Sequence, residues 1–212
     1  MITTDVFNEN IKDYEAWYEE YTEVYYSELE AIKEQFLKLP ENLKGIEVGV
    51  GTGRFAKPLG IKVGVEPSEE MAVLARKRGI EIVKGTAENI PFKDLQFDFV
   101  LFVTICYLYN IKEALREANR VLKPKGSIII GFIDKHGVIG KMYEEKRNES
   151  TFFKHATFYS VDHVKRLLKQ AGFKDLHFTE TLFGGLNDIK KIQLPEEGYG
   201  KGSFVVVKAQ KK

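Results

Sequence analysis

The sequence predicts an α/β architecture on a mostly parallel sheet, and three observations carry that expectation. Short apolar runs alternate with amphipathic helical stretches between residues 44 and 133. The first apolar run breaks into a turn with glycines at Gly49, Gly51 and Gly53, the punctuation expected where a strand ends at a ligand crevice. The alternation then stops: strand-like runs at 176–183 and 202–209 are separated by a polar, glycine-rich connection without a helix signal, so they are expected to pair antiparallel. Seven strands result, five of parallel type followed by a C-terminal hairpin.

Each element has a local reason. From Asn8 to Leu39, Ile11, Tyr14, Tyr18, Tyr21 and Tyr25 recur at helical spacing in a Glu-rich background, which predicts one or two amphipathic helices. Strands follow at 44–49, 61–66, 80–84, 97–103 and 127–133, with helices at 69–78 and 111–122. Ser68 is an N-cap residue followed by Glu69 and Glu70, and Gly79 sits where a left-handed C-terminal cap belongs. Asn110 with Glu113 reads as a capping box, and Pro124 to Gly126 as the turn before the fifth strand. A helix is expected through KMYEEKR, the stretch FFKHATFY takes no clear assignment, and Ser160 caps a helix ending near Gly172.

Composition narrows the function classes. The 212 residues include 43% hydrophobic residues, enough for one well-buried domain. Thirty-two basic residues balance 31 acidic ones, so the net charge of +1 gives no bulk attraction to nucleic acid or an anionic membrane. One cysteine, Cys106, and no apolar run of spanning length suggest a reduced, cytoplasmic setting. The histidines at 136, 155, 163 and 177 and Cys106 lack metal-ligand spacing, so no metal is expected.

The glycine turn is not a phosphate cradle. A dinucleotide fingerprint would need its last glycine at position 54, which is Arg54, and a P-loop would need Ser or Thr after Lys57, which Pro58 occupies. Glu66 ends the second strand, seventeen residues after Gly49, near the spacing at which an acid accepts hydrogen bonds from ribose hydroxyls and repels a 2′-phosphate. The loop GTAENIPF offers the Ala87 backbone and the Glu88 carboxylate to a base edge, and Thr104 and Cys106 end the fourth strand at the same sheet edge.

The ordered set EVGVGTG, VGVEPSEEM, GTAENIPF, FDFVLF and EANRVLKPKGSIII, over roughly 44–133, resembles the class I S-adenosylmethionine-dependent methyltransferases, particularly their small-molecule and quinone-type branch. That resemblance implies a doubly wound three-layer αβα sandwich: a Rossmann-like seven-stranded sheet with a C-terminal antiparallel hairpin and an N-terminal helical cap. It implies one domain over 1–212, with 1–40 as the cap, 41–133 as the cofactor core, and 134–212 as the substrate-side insert and hairpin. The cofactor implied is S-adenosylmethionine, with Gly49 and Gly51 against its methionine part and Glu47 near its amino group. Glu66 would hold the ribose, Pro67 and Met71 would lie along the adenine, and Ala87 and Glu88 would read its polar edge. Thr104 would offer backbone to the amino acid moiety, and Tyr14 and Trp17 would cap the pocket. Two positions depart from many relatives: Thr86 stands where an acid is frequent, and YLYN (107–110) lacks the histidines often found there.

Methyl transfer from a sulfonium needs alignment and exclusion of water more than a fixed triad. Tyr107, Tyr109, His136 and His155 are the candidate bases where the acceptor needs one. The implied partner is a small-molecule acceptor, with the chain acting as a monomer or homodimer. The competing readings are a non-catalytic S-adenosylmethionine-binding module and a nicotinamide oxidoreductase, the latter opposed by Arg54.

Overall fold

The structure is a computed structural model that describes residues 2–212. Three helices lead, α1 (Ile2–Glu9), α2 (Ile11–Glu20) and α3 (Thr22–Phe36). The expected one or two helices are three because the chain bends at Asn10 and Tyr21 without a glycine or proline to mark either break. There follow β1 (Gly45–Val48), β2 (Val63–Glu66), α4 (Glu69–Lys77), β3 (Glu81–Lys84), β4 (Phe97–Val103), α5 (Ile111–Val121) and β5 (Leu122–Ile133). The remaining elements are α6 (Val138–Glu145), α7 (Val161–Gln170), β6 (Phe173–Thr181), β7 (Glu196–Glu197) and β8 (Phe204–Lys211).

These strands form one sheet in the order β3-β2-β1-β4-β5-β8-β6-β7. The first five strands in that order are parallel, β8 runs antiparallel to both β5 and β6, and β7 adds antiparallel to β6. The sheet therefore has eight strands, not seven; β7 is only two residues long, too short to show alternation in sequence. The β6–β8 pair is the expected C-terminal antiparallel pair. Pro124 to Gly126 is not a free turn: it lies inside β5, where Lys125 takes φ +64° and the register against β4 shifts between Phe97 and Phe99. KMYEEKR ends α6 and continues into a 3₁₀ turn at Arg147–Glu149, while FFKHATFY supplies a single 3₁₀ turn at Phe153–His155.

Two apolar layers hold the sheet. On one face α5 and α7 pack Leu115, Ala118, Val164 and Leu168 against Val100, Ile128 and Val207; on the other α3 packs Leu29 and Ile32 against Leu101, Ile129 and Val206. β4 is apolar nearly throughout because both its faces are covered. The N-caps form, Ser68 accepting from Met71 N–H, Asn110 from Glu113 N–H and Ser160 from His163 N–H, and Gly79 takes φ +88°; the Asn110 capping box is only half made, because the Asn110 N–H donates to Glu88 and not to Glu113. Because the chain winds from β1 toward β3 and then from β4 toward β6, the order reverses between β1 and β4. In open α/β sheets the crevice beyond that reversal is the ligand site.

Candidate functional site

A cavity of about 370 Å³ opens at the C-terminal ends of β1, β2 and β4, beneath α1 and α2. Its floor is the glycine turn. Gly49 and Gly51 have φ of +72° and +55°, and a Cβ added to Gly49 would meet no protein atom within 4 Å, so the main chain itself lines the crevice. Gly53, φ +81°, serves packing instead: a Cβ there would press on Ala75 of α4 and on Ile80.

Two buried carboxylates face this floor. The Gly51 N–H donates to one oxygen of Glu66 at 2.8 Å and the Ser68 N–H to the other at 2.9 Å, which fixes the carboxylate and leaves lone pairs for further donors. Burial pushes the Glu66 carboxyl up, and those two backbone bonds offset part of that. Glu47 is 1% exposed and its Oε2 has no hydrogen-bond partner. Burial raises its carboxyl well above the ordinary range; the Ala56 amide offsets part of this and the Glu66 charge adds to it. Both lie on the wall of the crevice without a basic partner, an arrangement suited to a ligand carrying positive charge and hydroxyl donors. S-adenosylmethionine carries that donor set: a sulfonium, an ammonium and ribose hydroxyls.

The wall formed by the 85–92 loop and the start of α4 is held from behind. Ala87 is buried, and Pro67, Met71, Thr86 and Glu88 line the same crevice. One Glu88 oxygen accepts from Asn110 N–H at 3.0 Å, tying the 85–92 loop to the start of α5. A clamp on α5 fixes the loop further: Arg120 donates to the Ile90 and Phe92 carbonyls, and Glu117 accepts from Ile90 N–H. Glu117 and Arg120 open the EANRVLKPKGSIII motif, but the sequence reading gave neither a role; an Arg three residues after a Glu on one helix face was the local signal of the pair.

The lid is fastened at both ends. Ser68 donates to Asn8 of α1 at 2.5 Å. Glu15 of α2 accepts from Thr52 Oγ1 at 2.6 Å, from Arg54 at 2.8 Å and from Arg78 at 2.5 Å, and Arg54 also pairs with Glu19. Burial acts to raise Glu15, but these donors hold it below the usual carboxylate range. Arg54, which breaks the dinucleotide pattern, is thus the residue that joins the glycine turn to the lid. Tyr14 and Trp17 line the cavity from α2, and the Tyr14 and Tyr18 hydroxyls lie 3.0 Å apart.

Thr104 closes β4 with φ +63°, an uncommon conformation for a non-glycine residue, and lines the cavity beside Cys106 and Tyr107. Burial pushes the Cys106 thiol up to about 12 and the Tyr107 phenol well above its ordinary value. Neither is ionised near neutral pH. Tyr109 stands at the rim, 95% exposed. The structure does not bring His136 or His155 to the cavity; both are exposed and outside its lining. Among the described residues no group of acidic, histidine and cysteine side chains is arranged to hold a metal. No helix of the described residues is long and apolar enough to cross a membrane.

An apolar chamber of the same cavity is lined by Tyr143, Phe153, Phe158, Leu182 and Leu186, with Glu28 of α3 also in the lining, and its three aromatic rings pack on one another. None of these residues stood out in the sequence. They come from segments far apart in the chain, and no local motif joins them.

Comparison with known proteins agrees with this geometry. Residues 46–130 match a family model described as a methyltransferase domain. An uncharacterised protein of Methanocaldococcus jannaschii is 45% identical over 98% of this chain and 99% of its own length. A demethylmenaquinone methyltransferase of Staphylococcus saprophyticus is 30% identical over 63% of this chain and 71% of its own. The crystal structure of an S-adenosylmethionine-dependent methyltransferase of Thermotoga maritima, described as a possible histamine N-methyltransferase, superposes with a TM-score of 0.94 at 44% identity, over 99% of this chain and 100% of that one. The chain belongs to the class I S-adenosylmethionine-dependent methyltransferases, with S-adenosylmethionine as its cofactor.

Proposed function

We propose that residues 1–212 act as one domain that methylates a small-molecule acceptor, with 1–40 as the cap, 41–133 as the cofactor core and 134–212 as the acceptor side. The observation that carries this reading is continuity: one cavity runs from the glycine turn to the chamber around Tyr143 and Phe158. Its volume of about 370 Å³ falls in the range of small-molecule sites, about 300–1,000 Å³. An acceptor in that chamber would meet the cofactor end inside a covered space.

Bound S-adenosylmethionine supplies a methyl group already activated by its sulfonium charge. The residues of the chain supply the rest. Gly49, Gly51 and Glu47 receive the methionine part, Glu66 the ribose, and Pro67, Met71, Ala87 and Glu88 the adenine, while Thr104 brings main chain to the amino acid moiety. Tyr14 and Trp17 close the lid and exclude water, an effect that with alignment accounts for about 7–11 kcal/mol in favourable intramolecular systems. The aromatic face of Tyr14 suits a cation, such a contact being worth about 0.5–2 kcal/mol, whereas the Tyr18 ring already carries the Arg54 guanidinium, 4.7 Å from its centroid. Of the candidate bases, Tyr107 lines the cavity but is held protonated by burial. We place the chain in the cytoplasm as a monomer or homodimer.

The test is transfer of label from methyl-labelled S-adenosylmethionine to a panel of amines, phenols, thiols and quinols, with histamine included because the description of the Thermotoga protein names it. Label in a small-molecule product supports the reading. Label only in protein or nucleic acid, or none anywhere from a protein that binds S-adenosylhomocysteine, contradicts it. The non-catalytic alternative is disfavoured by the methyltransferases among the relatives.

A further inference from the structure

Glu28 is out of place on the inward face of α3. It lies on the inward stripe of α3 between Val24 and Ile32, positions at helical spacing that are 1% and 0% exposed. Glu28 itself is 8% exposed, and that residual surface faces the cavity it lines. Among the described residues it makes no hydrogen bond and no ion pair, unlike the buried Glu66 at the other end of the same cavity. Such a breach of the apolar pattern costs stability, and breaches of this kind concentrate at functional sites.

The surroundings say what would satisfy it. The neighbours whose charge couples to Glu28 are Tyr18 of α2 and Tyr143 of α6, both raised by burial and so neutral near pH 7. Phe158 and Leu186 complete the apolar wall of the chamber. Among the described residues the one basic side chain lining the cavity is Arg54, and its guanidinium is committed to Glu15 and Glu19. A lone carboxylate in an aromatic box, with no cation of the protein to pair it, is the complement of a small organic cation.

We propose that Glu28 anchors the acceptor and that the acceptor is a small amine with an aromatic or aliphatic body, its nitrogen on the Glu28 carboxylate and its body against Tyr143 and Phe158. This deepens the methyltransferase reading and rests on it for the fate of the nitrogen. An ammonium has no lone pair, so it must lose a proton before it accepts a methyl group. The proton passes from the ammonium to the Glu28 carboxylate, giving a neutral amine and a carboxylic acid, and leaves to water when Glu28 ionises again. Burial pushes the free carboxyl up to about 8, near the range in which such an exchange is balanced.

The test is calorimetry of 2-phenylethylamine, tryptamine and n-hexylamine, each against its neutral alcohol counterpart, with wild type and Glu28→Gln. Titrations are run with and without saturating S-adenosylhomocysteine, so failure of the cofactor reading is seen separately from failure of the amine reading. At least one amine is expected to bind wild type tenfold or more tighter than its alcohol, and Glu28→Gln to remove that preference. In wild type at pH 7, buffers of different ionisation enthalpy should show release of about one proton per amine bound, and none in Glu28→Gln. S-adenosylhomocysteine affinity within twofold of wild type shows that the variant is folded. The proposal is overturned if no amine binds, if the alcohols bind as tightly, or if a folded Glu28→Gln keeps the preference.

Discussion

At the β1–β2 end of the cavity a ligand meets main chain; at the α3–α6 end it meets side chains. The first end is made by Gly49, Gly51 and the Glu66 carboxylate that two backbone N–H groups hold in place. The second is made by Tyr143, Phe158, Leu182 and Glu28, brought together by four separate parts of the chain. The two ends also treat charge differently. Glu66 is supported by donors before any ligand arrives, whereas Glu28 has none.

That comparison can be broken most easily at Glu66. Glu66→Ala removes the group proposed for the ribose, and hydrogen bonds to a charged group are worth about 1.5–3 kcal/mol each. Calorimetry is expected to show S-adenosylhomocysteine affinity reduced by about 100-fold or more, with the amine preference of the far end intact in the ligand-free protein. Loss at both ends together would mean that the ends are not independent.

The next effect is on stability. A carboxyl raised by folding contributes stability that is fully present below its unfolded value of 4.5 and is lost as pH rises through the folded value, about 8 for Glu28. Between pH 6 and 9 wild type should therefore lose roughly 2 kcal/mol more than Glu28→Gln. Chemical denaturation across that range measures it; parallel profiles would show that Glu28 is better solvated than its position implies.

Smaller effects sharpen the contrast. Gly49→Ala forces a side chain into the left-handed region at a cost of about 1–2 kcal/mol and places a methyl in the crevice. S-adenosylhomocysteine affinity is expected to fall about tenfold, with the amine end unaffected. Glu15→Ala unfastens α2 from Arg54 and Arg78. Since the lid spans both ends, this variant should weaken the amine and S-adenosylhomocysteine alike, by about three- to tenfold, mainly through faster dissociation seen by stopped flow. A change confined to one end would show that the lid serves that end only.

The same division explains what was legible in the sequence. Main-chain sites leave their mark as glycines and spacings, so the turn at 49–53, the acid at Glu66 and the 85–92 loop could be picked out and assigned to one sheet edge. The β6–β8 pairing was legible because both strands are long, β8 with an apolar run and β6 with Leu176 and Phe178 in alternation, while β7 was not, being two acidic residues on an edge. The acceptor end was hidden for a different reason. Glu28 lies in a Glu-rich helix whose inward face is decided by what packs on it, and only the fold shows that Glu28 points in while Glu23 and Glu30 do not. His136 and His155 drew notice by residue type, and the fold leaves both at the surface. Arg54 was legible only as a broken pattern; its pairing with Glu15 across 39 residues is a tertiary fact.

A crystal structure of the chain with S-adenosylhomocysteine tests the central claim most directly. The account predicts the ribose hydroxyls within about 2.6–3.0 Å of the Glu66 carboxylate, the amino group beside Glu47, and the sulfur facing the chamber that holds Glu28. A ribose placed away from Glu66, or a sulfur turned from that chamber, would contradict it.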